Sequence, residues 1–222
     1  MLSFLTQPFQ RTTTSKEHPL VTNNGATLTE FLPPKSSKDS FNMRLSFNHA
    51  KLLKQKQQGI TPFIKPVYHW HWNQSEIFQI EKGAALLTLD GKTRRVTAAD
   101  GSIVVPAGTY HTYDMDFSTG EDMSFVVWSP EEDGVEELFF RNFFSYLEDC
   151  QRNGVRPSVF QVLLFFHTYE VSFALPSLPK WLAKMMSKWG LGFIGGKVIG
   201  NWLLGYQSSY KEYVTVENAK TK

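Results

Sequence analysis

Between residues 27 and 128 the chain alternates apolar and polar positions in short runs that end at turn-forming residues. Successive side chains of a strand point to opposite faces of a sheet, so this alternation is typical of strands with one buried face. The dipeptide Asp90-Gly91 between two of the runs is a strong hairpin signal. Short strands with frequent turns predict a barrel or sandwich, and the lysine-rich stretch 51–58 predicts a loop or one exposed helical turn. The predicted strands cover residues 27–32, 40–47, 63–72, 77–80, 84–89, 92–96, 103–105, 112–116 and 123–128.

After Pro130 the pattern changes from alternation to apolar residues spaced three and four apart. Residues 134–153 have the period of an amphipathic helix. Residues 157–175 are apolar on nearly every side, which predicts a second helix that is buried in protein. The ionisable side chain of Glu170 in this segment argues against a membrane span, because a charge at bilayer depth is costly.

Residues 180–206 are amphipathic in parts and rich in glycine and tryptophan. They do not form a phosphate-binding loop, because Val198 stands where that motif requires Ser or Thr. We expect this segment to pack closely against the barrel, to form a subunit contact or to cover the mouth of a pocket. An alternative is contact with a membrane surface, without a transmembrane span, through Trp181, Lys184, Lys188 and Trp189.

Composition limits the class of protein. The 222 residues are 41% hydrophobic and 20% charged, as in ordinary globular chains, and the net charge of +2 gives no reason to expect nucleic acid as a partner. The single Cys150 excludes an intramolecular disulfide, and Met1–Phe9 lacks the pattern of a secretory signal, so we expect a cytoplasmic protein. The expected organisation is an N-terminal arm over 1–24, a barrel over 25–130 and a helical C-terminal extension over 131–222.

Three of the six histidines lie close to one glutamate in the predicted barrel. His69 and His71 are two residues apart and therefore project from the same face of a strand. Glu76 follows after a tight turn, and its carboxylate can point back at the two imidazoles. His111 follows a Pro-x-Gly turn that can present its ring from a neighbouring strand. Three imidazoles and one carboxylate make a donor set for a divalent metal ion.

These residues resemble the two motifs of the cupin superfamily. The first motif is matched by His69, His71, Glu76 and Gly83, with four residues between His71 and Glu76 and six between Glu76 and Gly83. Phe63-Ile64 stands where the family has an opening glycine. In the second motif Pro106, Gly108 and His111 match, whereas Asp100 replaces its first glycine and Met115 its final asparagine.

The resemblance implies a mainly β fold, a double-stranded β-helix or cupin jelly-roll barrel, here with an α-helical C-terminal extension. It also implies a metal site formed by His69, His71, Glu76 and His111. Fe(II) is the favoured ion, with Zn, Mn, Ni or Cu as alternatives.

Strand parity predicts which side chains face the metal pocket. Val67 shares the inward face with the first two histidines, Phe78 and Ile80 follow Glu76, and Tyr113 and Met115 follow His111; Phe41 and Met43 are further candidates for the lining. A mostly apolar and aromatic pocket favours a hydrophobic or aromatic small molecule. The same parity turns Tyr68, Trp70 and Trp72 outward. A soluble monomer rarely exposes such a patch, so we expect the helical C-terminal part of the chain to cover these rings, and we expect a homodimer rather than a monomer.

The whole chain also resembles cupin-domain proteins of fungal secondary-metabolite pathways. The similarity lies in the order of barrel and helical extension and in the short sequences at 146–150 and 202–206. That resemblance implies a tailoring enzyme acting on polyketide- or terpenoid-like intermediates, either an oxidoreductase such as a dioxygenase or an isomerase or cyclase. Tyr113 is the candidate proton donor, and Glu76 is both a ligand and a candidate catalytic carboxylate. The alternative is a non-catalytic binding module in which the metal is structural or absent.

Overall fold

The computed structural model describes residues 6, 9–131 and 134–215. The chain divides into two compact units. Glu17–Gly134 form the first, which we call the barrel unit, and residues 6, 9–16 and 135–215 of the described chain form the second, the helical unit. No helix in the described ranges is long and apolar enough to cross a membrane.

The barrel unit consists of short antiparallel strands in two sheets, which confirms the mainly β prediction. One sheet has the strand order β1-β2-β3-β10-β5-β8, and the other has the order β4-β9-β6-β7 within this unit. Chain neighbours often lie in different sheets, as in a jelly roll. The elements are β1 (Leu20–Thr22), β2 (Thr27–Phe31), β3 (Phe41–Phe47), α1 (His49–Gln57), β4 (His69–His71), β5 (Glu76–Lys82), β6 (Ala84–Leu89), β7 (Lys92–Thr97), β8 (Ser102–Val105), β9 (His111–Met115) and β10 (Met123–Ser129).

The register of the first sheet assigns a common face to the predicted pocket residues. Phe78 and Met43 both lie opposite Val127 of the central strand β10, so the three side chains form one row across the sheet. Residues two apart on a strand share a face. The predicted lining residues of this sheet therefore lie on the same face as Glu76, and all are at most 5% exposed: Phe41, Met43, Phe78 and Ile80.

Three local elements differ from the sequence expectation. Residues 51–57 of the stretch 51–58 belong to a full helix, α1, because Asn48 caps its first turn by accepting a hydrogen bond from Lys51 and because Leu52 is fully buried. Residues 20–22, expected in the arm, form β1 and pair with β2. The expected strand over 63–72 shrinks to the three residues of β4.

Gly83 joins β5 to β6 at a point where no other residue fits. Its φ is +70°, in the left-handed region. A Cβ at this position would lie 2.5 Å from the carbonyl oxygen of Asp122. The glycine of the first motif is therefore required by a close approach between two backbone segments.

The helical unit contains α2 (Glu137–Arg152), α3 (Val159–Thr168), β11 (Val171–Phe173), α4 (Lys180–Met185) and α5 (Met186–Leu203), the last wound as a π-helix. The helix expected over 134–153 is present as α2. The segment 157–175 is not one helix, because α3 ends at Thr168 and Glu170 takes a φ of +58° before the short strand β11.

The described residues of the expected arm, 9–16, are held within the helical unit. The backbone N–H of Thr12 donates to Asp149 Oδ2 at 2.9 Å, and the hydroxyl groups of Thr14 and Ser145 are 2.7 Å apart. Tyr213 donates its hydroxyl to the same carboxylate oxygen of Asp149, at 2.6 Å. A buried aspartate on α2 therefore ties together segments from both ends of the described chain.

Candidate metal centre

Strand pairing places three histidines side by side. His69 of β4 lies directly opposite His111 of β9, and their ring centroids are 4.2 Å apart. His71 lies two residues further along β4 on the same face, 5.1 Å from the ring of His69 and 5.3 Å from that of His111. One short strand pair thus supplies three imidazoles to a single point.

The carboxylate comes from the other sheet. Glu76 is the first residue of β5, and its Oε2 lies 2.9 Å from His111 Nε2 and 3.5 Å from His71 Nε2. One ligand atom from each of these three residues and from His69 lies within 4.8 Å of the others. The four residues that the sequence motif selects are therefore brought together between the two sheets.

Backbone carbonyl groups orient two of the rings. His69 Nδ1 lies 2.8 Å from the carbonyl oxygen of Val67, and His111 Nδ1 lies 3.0 Å from that of Thr109. A carbonyl oxygen only accepts, so Nδ1 must carry the hydrogen in both rings. In a neutral imidazole this leaves the lone pair on Nε2, which is the tautomer required of a metal ligand.

The donor set passes a simple test of fit for a cation. His111 Nε2, with the ring hydrogen on Nδ1, is an acceptor, and so is the carboxylate oxygen of Glu76 that lies 2.9 Å away. Two acceptors at this distance repel each other unless a positive charge lies with them. Neither buried ring nitrogen of His71 makes a hydrogen bond to any residue that the structure describes. A divalent ion bound by these atoms removes the repulsion and gives His71 Nε2 a partner.

The charge states also suit metal binding. Burial, and then the positive charges of His111 and His71, lower the pKa of His69 well below its ordinary value, so its ring stays neutral. Burial raises the pKa of Glu76, but the neighbouring rings of His71 and His111 outweigh this effect and hold that pKa well below its ordinary value. Neutral imidazole and ionised carboxylate are the forms that coordinate metals.

Two turns hold the ligands in place. Gly108 has a φ of +75°, and its N–H donates to the carbonyl oxygen of His71 at 2.9 Å, which fastens the second motif to the first. Before Glu76, the amide of Gln74 donates to Ser40 Oγ at 2.6 Å. Gln74 is only 1% exposed, and its place in the sequence gave no sign of this anchoring role.

Tyr113 lies on the same face of β9 as His111. Its ring centroid is 4.9 Å from that of Phe125 and 6.0 Å from that of Phe78. Burial, followed by the negative charge of Glu76, raises the pKa of the phenol, so it stays protonated. The hydroxyl makes no hydrogen bond with the described residues, so it is available to donate one to a bound molecule. Met115, two residues further on, is 3% exposed.

One prediction of orientation around β4 is wrong. Val67 is 45% exposed, because the strand begins only at His69 and its alternation does not extend back to that residue. Trp70 points away from the histidines, as parity requires, but is only 5% exposed. Tyr68 and Trp72 are partly buried. These outward rings are therefore covered, as expected, and the homodimer stays a prediction.

Comparison with known proteins finds relatives among fungal enzymes. No family model matches the chain. It is 38% identical to the probable oxidoreductase virH of Hypocrea virens over 153 residues, which cover 67% of each protein. It is 30% identical to the oxidoreductase iacF of Pestalotiopsis fici over 201 residues, 87% of this chain and 95% of the relative. Among solved structures, an RmlC-like cupin from Shewanella frigidimarina is 14% identical, with a TM-score of 0.35 over 55% of this chain and 92% of that one.

Proposed function

The chain belongs to a family of fungal oxidoreductases and has the cupin fold, and we propose that it is a metal-dependent oxidoreductase of an apolar or aromatic small molecule. The single observation that supports this most directly is the convergence of His69, His71, Glu76 and His111 on one buried point. A polyketide- or terpenoid-like intermediate is the proposed substrate class. Its site would be the barrel interior next to the four ligands.

The proposed cofactor is a divalent ion held by three imidazoles and one carboxylate, with Fe(II) favoured and Zn, Mn, Ni or Cu as alternatives. Four protein ligands leave positions open in a five- or six-coordinate ion. Bound there, a divalent ion supplies a Lewis acid for substrate oxygens and, if it is iron, a centre that reacts with dioxygen.

The chain's own residues would bind the substrate and control its protons. Phe78 and Ile80 on one sheet and Met115 on the other would offer buried apolar surface, with Phe41 and Met43 two strands from β5 on the same sheet face. Apolar surface of this kind binds an aromatic or aliphatic skeleton through the hydrophobic effect. The protonated Tyr113 hydroxyl would donate a hydrogen bond, and then a proton, to a substrate oxygen.

The test combines metal content with oxygen consumption. We expect purified protein to contain about one divalent ion per chain and to consume oxygen with a phenolic or diketone substrate only when that ion is present. His111→Ala and His69→Ala should lose the metal and the activity while keeping the circular dichroism of the folded chain. His49→Ala is the matched control, because His49 lies outside the cluster, where its Nε2 is 3.2 Å from the carbonyl oxygen of Phe117. Full turnover by metal-free protein would contradict the proposal.

An isomerase or cyclase is the second candidate. It is favoured by the pairing of a protonated phenol, Tyr113, with a nearby carboxylate, Glu76, whose negative charge acts on that phenol. Such a pair can move a proton without any redox step, and the carboxylate would have to leave the metal to act as a base. Substrate turnover that needs the metal but consumes no oxygen would identify this class.

A further inference from the structure

The helices α4 and α5 run on without a break from Lys180 to Leu203 and expose an unusual set of residues. The tryptophans are the most exposed: Trp181 at 71%, and Trp189 and Trp202 at 56% each. Helices on the surface of a soluble protein normally turn polar residues to water. Here every exposed residue except the first is apolar or glycine: Lys180, Trp181, Met185, Met186, Trp189, Gly190, Leu191, Phe193, Ile194, Trp202 and Leu203.

The opposite side of α5 is a stripe of glycines that packs on α3. A Cβ on Gly196 would lie 2.6 Å from the carbonyl oxygen of Leu163, and one on Gly200 would lie 2.7 Å from that of Phe160. The two backbones therefore touch, and this contact needs no large apolar side chains from α5. The fold uses the small residues of α5 and leaves its large ones outside.

Three rings of α5 form one continuous surface, which we call the aromatic face: Trp189, Phe193 and Trp202. Phe193 lies at its centre, with ring centroids 6.2 Å from Trp189 and 6.5 Å from Trp202. The His167 ring of α3 lies 5.9 Å from Phe193. A contiguous exposed patch of this kind marks an interaction site.

Positive charge borders the aromatic face. Lys188 Nζ lies 5.7 Å from the Trp189 ring, and Lys197 lies four residues after Phe193 on α5, about one helical turn away. Residues 171–211 contain neither Asp nor Glu, and their basic residues are Lys180, Lys184, Lys188, Lys197 and Lys211. The partner of this surface should therefore be apolar and anionic.

A second copy of the chain fits poorly, because a two-fold contact would bring the lysines of both aromatic faces together without a carboxylate from this segment. A folded protein partner would find only donors among the exposed side chains of α4 and α5, the Lys180 ammonium and the indole N–H groups of the tryptophans, and no exposed side-chain acceptor. A lipid surface needs none. Tryptophan prefers the boundary between headgroups and acyl chains, and lysine is attracted to anionic headgroups.

We propose that the aromatic face docks the chain on the surface of a membrane that contains anionic lipids. The contact is peripheral: the rings enter the headgroup region, the lysines meet the lipid charges, and the glycine stripe stays packed on α3. This role is separate from the metal centre and does not depend on the proposed chemistry.

The test is flotation of the full chain with vesicles of phosphatidylcholine alone or with phosphatidylserine at about 30%. We expect binding to the anionic vesicles, weakened by salt, with tryptophan emission shifted to shorter wavelength. Trp189→Ser with Trp202→Ser should lower the partition coefficient at least about tenfold, because apolar burial is lost. Lys188→Gln and Lys197→Gln should each lower the partition coefficient on anionic vesicles about fivefold. Neither should change the partition coefficient on vesicles of phosphatidylcholine alone.

Matched controls are Val104→Ser, which removes an apolar side chain that is 56% exposed on β8, and Lys92→Gln on β7; neither should change binding. No binding of the original chain to anionic vesicles would overturn the proposal. So would light scattering that shows a dimer which the double tryptophan variant makes monomeric, since the aromatic face would then be a subunit contact. Binding to soluble polyglutamate that is as strong as binding to anionic vesicles, and that is unchanged in the double tryptophan variant, would indicate an acidic protein partner instead.

Discussion

At the scale of single residues, a hydrogen bond to the backbone orients two of the candidate ligands. The Nδ1 atoms of His69 and His111 each donate to the carbonyl oxygen two residues earlier in the chain, so both contacts are local in sequence. The ring tautomer is therefore fixed locally, whereas the position of Glu76 depends on the other sheet. His71 has no such contact among the described residues, so its orientation rests on packing and on the cluster itself.

Tyr113→Phe tests the proton donor. We expect kcat to fall by about a hundredfold or more, because a positioned general acid contributes at least that much. Stability and metal content should stay the same, since the hydroxyl has no hydrogen-bond partner among the described residues. The measurement is turnover on the substrate with the highest oxygen consumption, with Tyr206→Phe in the helical unit as the control. Unchanged turnover in Tyr113→Phe would remove this residue from the proposed mechanism.

Asp116→Asn tests a buried charge at the end of β9. Its carboxylate accepts from Arg95 Nε at 2.8 Å and from Ser118 Oγ at 2.6 Å, and the hydrogen bonds from Ser118 and Arg95 lower its pKa. We expect the variant to lose about 1–2 kcal/mol of unfolding free energy at pH 7.

The pH dependence of that loss follows from the direction of the shift. A carboxyl group whose pKa is lower in the folded state stabilises the fold above its unfolded pKa of about 3.9, and this contribution disappears as the pH falls through the folded value. The difference between Asp116→Asn and the original chain should therefore be constant from pH 7 to about 5 and shrink below pH 4. Urea unfolding measures it, with Glu121→Gln as an exposed control. A difference that grows on acidification would contradict the assignment.

At the scale of elements, the two units use opposite means of close packing. In the barrel unit large side chains fill the space between the sheets, as the ring contacts of Phe125 with Phe78 and Tyr113 show. In the helical unit α5 meets α3 through glycines, so the contact depends on the absence of side chains. A small change in volume should therefore matter more on the glycine stripe than on the outer side of α5.

Gly196→Ala and Gly190→Ala test this contrast. The added methyl group at Gly196 meets the backbone of Leu163 and Leu164 at 2.6–2.8 Å, which forces α5 away from α3. We expect a loss of about 1–3 kcal/mol in unfolding free energy. At Gly190 nothing lies within 4 Å, so alanine should stabilise the helix by about 0.5–1 kcal/mol. Thermal and urea unfolding of both variants provide the comparison; equal effects would mean that α5 is not held by this contact.

At the scale of the whole molecule, the barrel unit is closed around its ligands by residues far apart in sequence. His71 and His111 come from one sheet and Glu76 from the other, so a bound ion would link the two sheets directly. An ion that binds only the folded chain stabilises it by mass action.

Metal loading should therefore raise the unfolding free energy. At a free metal concentration of 100 times Kd the expected gain is about 2.7 kcal/mol, and a chelator should reverse it. His111→Ala should show no response to metal or chelator, whereas His49→Ala should respond as the original chain does. Calorimetry of the original chain and of both variants, each with metal and with chelator, measures the change in stability. A His111→Ala protein with an undiminished metal response would place the ion elsewhere.

The sequence by itself determined the ligand types and their spacing, most strands of the barrel unit and the helix α2. These are local properties: strand alternation has a period of two, helix periodicity is near 3.6, and turn residues mark the ends. The same information correctly placed His69, His71, Glu76 and His111 on faces that could meet.

Only the tertiary structure decided which faces are covered and where elements stop. Trp70 obeys strand parity and is nevertheless buried, because the burial of a side chain depends on what packs over it from elsewhere in the chain. Val67 is exposed because β4 begins only at His69. The glycine-rich sequence of α5 predicted close packing but not its partner, and only the structure shows that the glycines meet the backbone of α3. The meeting of Glu76 with His111 across 35 residues is likewise a product of sheet pairing, since alternation fixes the face of a strand but not its neighbours.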